Sequence, residues 1–144
     1  MDRTTHLHIL ADRLLPTMGC DKGCDFCCTI APASQSEYDK VLAYAAEHGI
    51  KPRVQGVLCP WFQGGRCTVH PVRPLVCRVF GHAPDLRCPR GHTRLAPVAT
   101  LVHLRQAHRR LCPTPGRARY LHDICCTRPQ IEALLQQLED EERV

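Results

Sequence analysis

Residues 18–28 read MGCDKGCDFCC, which places four cysteines within nine residues in a Cys-x3-Cys-x2-Cys-Cys knot. Three further cysteines, Cys59, Cys67 and Cys77, follow in a second compact stretch. The whole chain holds eleven cysteines in 144 residues. Thiols at this density either pair as disulfides or bind a metal, and the two outcomes belong to different cellular compartments.

The pattern favours metal binding over disulfides. Residues 1–18 contain no unbroken apolar run and no small-residue cleavage site, so we expect no signal peptide. No segment approaches the ~20 apolar residues that cross a bilayer, so we expect a cytoplasmic chain with no membrane partner. A reducing cytoplasm disfavours structural disulfides. Adjacent Cys27 and Cys28 also cannot bridge each other without strain, and an odd number of cysteines leaves one unpaired.

Composition and periodicity predict a mainly α, small single domain with irregular cysteine-rich metal-binding loops and little β structure. With only seven aromatic residues and twelve prolines, the core has few large side chains. A bound metal could then stabilise the fold. We expect residues 1–144 to form one domain, with a metal-binding core at 18–82 and a helical extension at 83–144.

Apolar spacing and helix-ending residues predict six helical segments along the chain. These segments are residues 5–15, 36–48, 74–80, 97–111, 117–123 and 129–142. Ser34 or Ser36 is the predicted N-cap of the second helix, with Glu37 in its first turn. Gly64 and Gly65 predict a turn between two short extended segments.

The cysteine pattern resembles the CxxCxxCC family of bacterial, YkgJ-like cysteine-cluster proteins, which are described as zinc- or iron-chelating. Four motifs carry the resemblance: Cys20-x3-Cys24-x2-Cys27-Cys28, Cys59-Pro-Trp-Phe, Gly65-Arg-Cys-Thr-Val-His70 and Arg73-Pro-Leu-Val-Cys-Arg78. The resemblance covers about residues 18–82 and fades beyond them. The chain departs from the family at the first spacing, which has three intervening residues rather than two, and at Phe62-Gln63, where leucine is frequent. Flagellin lysine methylases share the motif more remotely and are associated with an iron–sulfur cluster.

The resemblance implies seven metal ligands, and elementary coordination chemistry agrees with it. The seven are Cys20, Cys24, Cys27, Cys28, Cys59, Cys67 and Cys77. Cysteines two or three residues apart on a turn can bind one ion, and remote cysteines then close the site. Seven thiolates exceed the four that one tetrahedral ion takes. The site is therefore a polynuclear cluster, two adjacent sites, or four ligands with spare thiols.

The spacing favours an iron–sulfur cluster, with Zn²⁺ as the alternative cofactor. All-sulfur tetrahedral sites suit both metals. Structural zinc sites usually consist of two short Cys-x2–4-Cys knuckles, whereas Cys59, Cys67 and Cys77 lie at intervals of eight and ten residues. Cys59-Pro60 is also similar to the Cys-Pro that ends some ferredoxin cluster motifs.

Four cysteines lie outside these motifs. Cys88 is a candidate eighth ligand of the main site. His122-x2-Cys125-Cys126, with Cys112 upstream, has the composition of a second metal site, because a histidine three residues before a cysteine on one helix face can share an ion. The alternative is that these thiols are buried and bind nothing.

The charge distribution is uneven, since residues 51–128 carry fourteen Lys or Arg against two Asp or Glu. Arg66, Arg73 and Arg78 are close in sequence to proposed ligands, so we expect these cofactor-binding side chains to balance the charge of metal-bound thiolates. Nucleic acid is the less favoured partner, because few aromatic side chains are available to stack on bases.

The leading function is therefore a small metal-binding protein that holds iron, with metal ions and a protein or peptide as its expected partners. The alternatives are a zinc-binding structural or interaction module, or a cluster-dependent enzyme that modifies a peptide or protein. A nucleic-acid-binding module is the third-ranked function. The sequence contains no phosphate loop, dinucleotide fingerprint or Ser-His-Asp arrangement, and it identifies no catalytic residue.

Overall fold

The computed structural model describes residues 2–16, 28–89, 91–111 and 119–142. Its helices are α1 (Arg3–Leu14), α2 (Gln35–Glu47), α3 (Leu75–Val79), α4 (Val98–Arg110) and α5 (Arg128–Glu142). Its two-residue strands are β1 (Pro32–Ala33), β2 (Phe62–Gln63), β3 (Arg66–Cys67) and β4 (Arg119–Tyr120), and 3-10 turns cover His70–Val72 and Leu121–Ile124. Helices make up most of the regular structure, which confirms the predicted mainly α fold with little β.

Five of the six predicted helical segments are confirmed, with ends that lie within two residues of the expected ones. The start of α2 shows why the prediction succeeds there. Ser34 Oγ accepts a hydrogen bond from the Glu37 backbone N–H at 3.1 Å, and Glu37 Oε1 accepts one from the Ser34 N–H at 2.9 Å. This capping box selects Ser34 rather than Ser36 as the N-cap.

The predicted helix at residues 117–123 is wrong where the structure describes it. Residues 119 and 120 form β4, which pairs antiparallel with β1, and Leu121–Ile124 is a single 3-10 turn. The Tyr120 N–H donates to Asp123 Oδ2 at 3.1 Å, which starts the turn only after the strand has ended. Pairing with a distant strand therefore overrides the local helical pattern.

The predicted pair of extended segments around Gly64 and Gly65 is confirmed. β2 and β3 pair antiparallel, with Phe62 opposite Cys67. Both glycines have positive φ, at 64° and 76°, a conformation that side chains with a Cβ rarely adopt. The turn therefore brings Cys67 back beside the segment that begins at Cys59.

Two clusters of buried apolar side chains organise the described residues. The first, here called the cysteine core, joins α2, the β2–β3 hairpin and the Leu121 turn, and it contains Ala31, Ala33, Val41, Ala45, Cys59, Trp61, Phe62, Val69 and Leu121. The second, here called the helical core, joins α1, α3 and α4, and it contains Leu7, Ala11, Leu75, Val79, Ala83, Ala96, Leu101 and Leu104.

A fully buried carboxylate, Glu37, ties four helices together. Its oxygens lie 2.8 Å from His8 Nε2 and 2.6 Å from His108 Nε2, and they accept from the Leu75 N–H at 2.6 Å and the Ser34 N–H. Burial alone would raise the pKa of Glu37, but the hydrogen bonds from His108 and His8 hold that pKa well below its usual range. Nothing in the sequence indicated this network.

No helix in the described parts of the chain combines the length and apolar character that crossing a membrane requires.

Candidate metal centre

Four of the seven motif cysteines fall within the described residues, and all four lie in or against the cysteine core. Cys59 is buried, and its backbone N–H donates to the carbonyl of Cys28 at 2.7 Å. Cys67 lies on β3 and Cys77 on α3, and both pack half-buried against the same core. Residues that are up to 49 positions apart in sequence are thus gathered at one place.

Three motif cysteines, Cys20, Cys24 and Cys27, lie outside the described residues, as does Cys112. The described residues contain no group of three or more His, Cys, Asp or Glu side chains that is placed to hold a metal ion. Cys88 lies in the connection between α3 and α4, where its N–H donates to Thr93 Oγ1 at 2.8 Å. The described cysteines therefore do not form a metal site by themselves.

The electrostatics around Cys59 show that the thiols influence one another. Burial raises the pKa of Cys59 to about 12, and the negative charges of Cys67 and Cys125 act in the same direction. The backbone N–H groups of Trp61 and Phe62 oppose this shift because they stabilise the thiolate. Cys59 is therefore protonated at neutral pH unless a cation replaces its proton, while N–H donors to a metal-bound sulfur are already in place.

The three arginines near the motif differ in what they contact. Arg78 is buried and donates to Asp12 Oδ2 at 2.6 Å, to the Arg73 carbonyl at 2.9 Å and to the Pro71 carbonyl at 2.9 Å. Its described contacts therefore hold the backbone before Cys77 against α1. Arg66 is exposed on β3.

Arg73 interacts electrostatically with two motif thiols, Cys77 and Cys67. Its guanidinium donates to the His70 carbonyl at 2.8 Å and lies 3.8 Å from Asp12. Burial and the charge of Arg78 lower the pKa of Arg73, whereas Asp12, Cys77 and Cys67 raise it. The Arg73 guanidinium and the thiols of Cys77 and Cys67 thus interact electrostatically. Asp12 is a partner that sequence reasoning missed, because its 66-residue separation from Arg78 leaves no local signal.

The C-terminal candidates lie beside the same core. Cys125 and Cys126 have sulfurs 3.8 Å apart, and burial raises the pKa of Cys125 to about 11. His122 is 1 % exposed and its Nε2 lies 3.0 Å from the Gly56 carbonyl. Burial lowers the pKa of His122, although the carbonyls of Gly56 and Leu58 oppose the shift, so the ring is neutral. A neutral imidazole is the form that binds metals.

Two buried nitrogen atoms bear on whether the residues around the cysteine core fit a thiolate–metal centre. Trp61 Nε1 and His122 Nδ1 have no hydrogen-bond partner within the described part of the chain. Such atoms cost about 1–3 kcal/mol each when nothing satisfies them. A metal-bound sulfur accepts a hydrogen bond from an indole N–H, and a metal ion accepts an imidazole lone pair. The residues present therefore fit a metal centre with thiolate ligands.

Comparison with known protein families identifies a match. A family model described as "CxxCxxCC: Putative zinc- or iron-chelating domain" matches residues 19–112. The match continues well past residue 82, so the expectation that the resemblance fades there was wrong. Cys88 and Cys112 lie inside the matched residues, whereas Cys125 and Cys126 lie outside them. No curated protein and no solved structure matches the chain. Because the matched residues make up well over half of the 144, the chain belongs to the CxxCxxCC family.

Proposed function

We propose that this protein chelates iron as an iron–sulfur cluster, with ligands drawn from Cys20, Cys24, Cys27, Cys28, Cys59, Cys67 and Cys77. The observation that carries the proposal is the gathering of four of these cysteines at the cysteine core. The 2.7 Å hydrogen bond from Cys59 to Cys28 places the end of the Cys-x3-Cys-x2-Cys-Cys knot next to the second motif. The family description, zinc- or iron-chelating, supports the metal-binding part of the proposal.

Ligand number and spacing favour the cluster over a single zinc ion. The family match contains nine cysteines, including Cys88 and Cys112, whereas one tetrahedral ion takes four ligands. Cys59, Cys67 and Cys77 come from a loop, a strand and a helix, not from a second short knuckle. Such scattered thiolates are typical of cluster ligation. A bound cluster would supply one-electron transfer or a Lewis-acidic iron.

The surrounding residues have defined roles in this proposal. The N–H groups of Trp61 and Phe62 stabilise the Cys59 thiolate, and Arg73 offsets negative charge at Cys67 and Cys77. Arg78 holds the backbone before Cys77 through its contacts to Asp12 and the Pro71 carbonyl. A centre that needs this many reduced thiols works in a reducing compartment, so we place the protein in the cytoplasm.

Anaerobic purification followed by absorption spectroscopy and analysis of iron, zinc and acid-labile sulfide tests the proposal. The wild type should be brown, absorb near ~400 nm and contain iron and sulfide in comparable amounts. Cys59→Ser should lose most of the iron, because the buried thiolate is removed. Val54→Ser, at an exposed position five residues earlier, should keep the wild-type spectrum.

The possible results distinguish the claim of metal chelation from the claim of an iron–sulfur cluster. A colourless protein that carries stoichiometric zinc would overturn the cluster and leave metal chelation standing. A protein that binds neither metal under anaerobic reducing conditions would overturn both.

A further inference from the structure

We propose that a groove between α1 and α4 binds the acidic helix α5 of a second copy of this chain. The groove lies on the outside of the helical core and shares no lining residue with the cysteine core. The inference therefore goes beyond the proposed function and does not depend on a bound metal.

The groove has an apolar floor. Leu7, Ile9 and Leu10 line it from α1, and Ala107 and Leu111 line it from the end of α4. Its volume is about 650 Å³, a size typical of binding sites. Laying the apolar face of an amphipathic helix into such a groove is a recurring mode of peptide recognition.

Three exposed arginines, Arg3, Arg13 and Arg110, complete the lining of the groove. The lining residues include no Asp or Glu, and the three guanidinium groups have no ion-pair partner within the described parts of the chain. Arg3 and Arg13 are ten residues apart on α1, which is about 15 Å along the helix axis. The groove therefore has positive charge toward both of its ends.

The spread of this charge selects an elongated ligand with several anionic groups. A long-chain carboxylate would fill the apolar floor, but its single head group would meet only one end of the groove. An acidic amphipathic helix presents anions at intervals beside an apolar stripe, so it matches both the floor and the arginines.

Helix α5 of this chain has the required apolar stripe. Ile131, Leu134, Leu135 and Leu138 recur at helical spacing and lie on one face. Ile131 is buried and fastens the helix to its own chain, where α5 packs against the Leu121–Ile124 turn. The three leucines are partly exposed. They are the apolar side chains that a groove on another molecule can cover.

The acidic side chains of α5 are placed beside this stripe. Because an α-helix turns about 100° per residue, Glu132 and Glu139 flank the stripe on one side and Glu141 flanks it on the other. All three are exposed. Glu132 and Glu141 are nine residues apart, or about 14 Å along the axis, close to the spacing of Arg3 and Arg13. The charges of the helix and of the groove are therefore complementary in sign and in spacing.

The occupant is a second copy because α5 does not line the groove of its own chain. Its buried Ile131 holds it at the Leu121–Ile124 turn instead. When each of two copies seats its α5 in the other's groove, the contact is reciprocal and gives a two-fold dimer, the commonest form of homo-oligomer.

Sedimentation velocity of the full-length protein measures this association. The protein is purified anaerobically and kept in reductant, so that its eleven cysteines form no intermolecular disulfide. A series from ~1 μM to ~1 mM protein should show a monomer that becomes a dimer as concentration rises. The dimer should dissociate when salt is raised from ~0.1 M to ~1 M, because the Debye length then falls from about 10 Å to about 3 Å.

Charge reversal on either side identifies the two contacting surfaces. Arg13→Glu/Arg110→Glu should weaken dimerisation roughly tenfold or more, because the acids of α5 then meet like charge. Glu139→Lys/Glu141→Lys on α5 should weaken it in the same way. An equimolar mixture of the two variants should associate as tightly as the wild type, since each groove then meets a helix of opposite charge.

Arg53→Glu/Arg87→Glu is the matched control. It makes the same change of net charge at two exposed positions that do not line the groove, so this variant should dimerise like the wild type. Circular dichroism should be unchanged in all three variants, because every substituted residue is exposed.

Three results would overturn the inference. The first is a wild type that stays monomeric up to ~1 mM at low salt, including one whose groove arginines bind oleate vesicles instead. The second is a dimer that Arg13→Glu/Arg110→Glu leaves intact, since the copies would then meet elsewhere. The third is a mixture of the two charge-reversed variants that stays as weak as each variant alone. None of these results bears on metal binding, which iron and sulfide content measures separately.

Discussion

The helical core and the cysteine core satisfy their buried polar groups in different ways. Where α2 meets the helical core, the buried carboxylate of Glu37 receives hydrogen bonds from two histidines and two backbone N–H groups. In the cysteine core, Trp61 Nε1 and His122 Nδ1 have no partner within the described residues, and buried Cys59 strongly favours its protonated form. The first region is complete within the described residues, whereas the second leaves two buried nitrogen atoms without a partner there.

Metal removal should produce the largest effect and should affect the two regions unequally. A metal that binds only the folded state adds its binding free energy to stability, so chelation should lower Tm by roughly 10 °C or more. Hydrogen exchange should accelerate first around Cys59 and Leu121 and least in α1 and α4. An apo-protein with the holo-protein's Tm would show that the cysteine core stands without metal.

Glu37→Gln should have its main effect at the junction of α1, α2, α3 and α4, because it removes the carboxylate but no motif thiol. The amide cannot accept from all four donors, and loss of one partner from a buried charged network costs about 3–5 kcal/mol. Urea unfolding measures the loss, with exposed Glu47→Gln on the same helix as the control. Metal content per folded molecule should stay at the wild-type value. A matching loss of metal would mean that the two regions are not separable.

Acid should weaken the same network. The hydrogen bonds hold the folded pKa of Glu37 below its ordinary value of 4.5, so the stabilisation is present above pH 4.5 and is lost as pH falls toward the folded pKa. The stability difference between wild type and Glu37→Gln should therefore be full near pH 6 and shrink below about pH 4.5. Urea titrations across this range measure it, and a difference that grows on acidification would contradict the assignment.

Arg73→Gln should have the smallest effect, confined to the metal centre. If Arg73 offsets charge at Cys67 and Cys77 as proposed, its loss should weaken metal binding by roughly 10-fold, as loss of outer-shell partners does. Exposed Arg53→Gln removes the same charge elsewhere and is the matched control. Competition with a chelator measures the change. Equal effects of the two variants would indicate general electrostatics instead of a local role.

Local signals in the sequence account for the parts of the fold that were predicted. Apolar periodicity gives α1 and α4, the Ser34 capping box gives the start of α2, and Gly64-Gly65 gives the hairpin. The cysteine spacing identifies the family, although the match extends beyond the stretch that resembled it.

Long-range pairings account for what was missed. β1 pairs with β4 across most of the chain through two residues on each side, too few for a strand pattern to appear. Glu37 meets His108 at a separation of 71 residues, and Arg78 meets Asp12 at 66. No local periodicity encodes such contacts. The positions of Cys20, Cys24, Cys27 and Cys112 lie outside the described residues, so their role as ligands stays a prediction.

X-ray absorption at the iron edge of anaerobically purified protein tests the central claim most directly, because it reports which atoms surround the metal. The account predicts a first shell of sulfur at about 2.3 Å, similar to other metal–thiolate distances, with a second iron atom just beyond it. A first shell dominated by oxygen and nitrogen would show that the cysteine core does not hold the iron, and the account would be wrong.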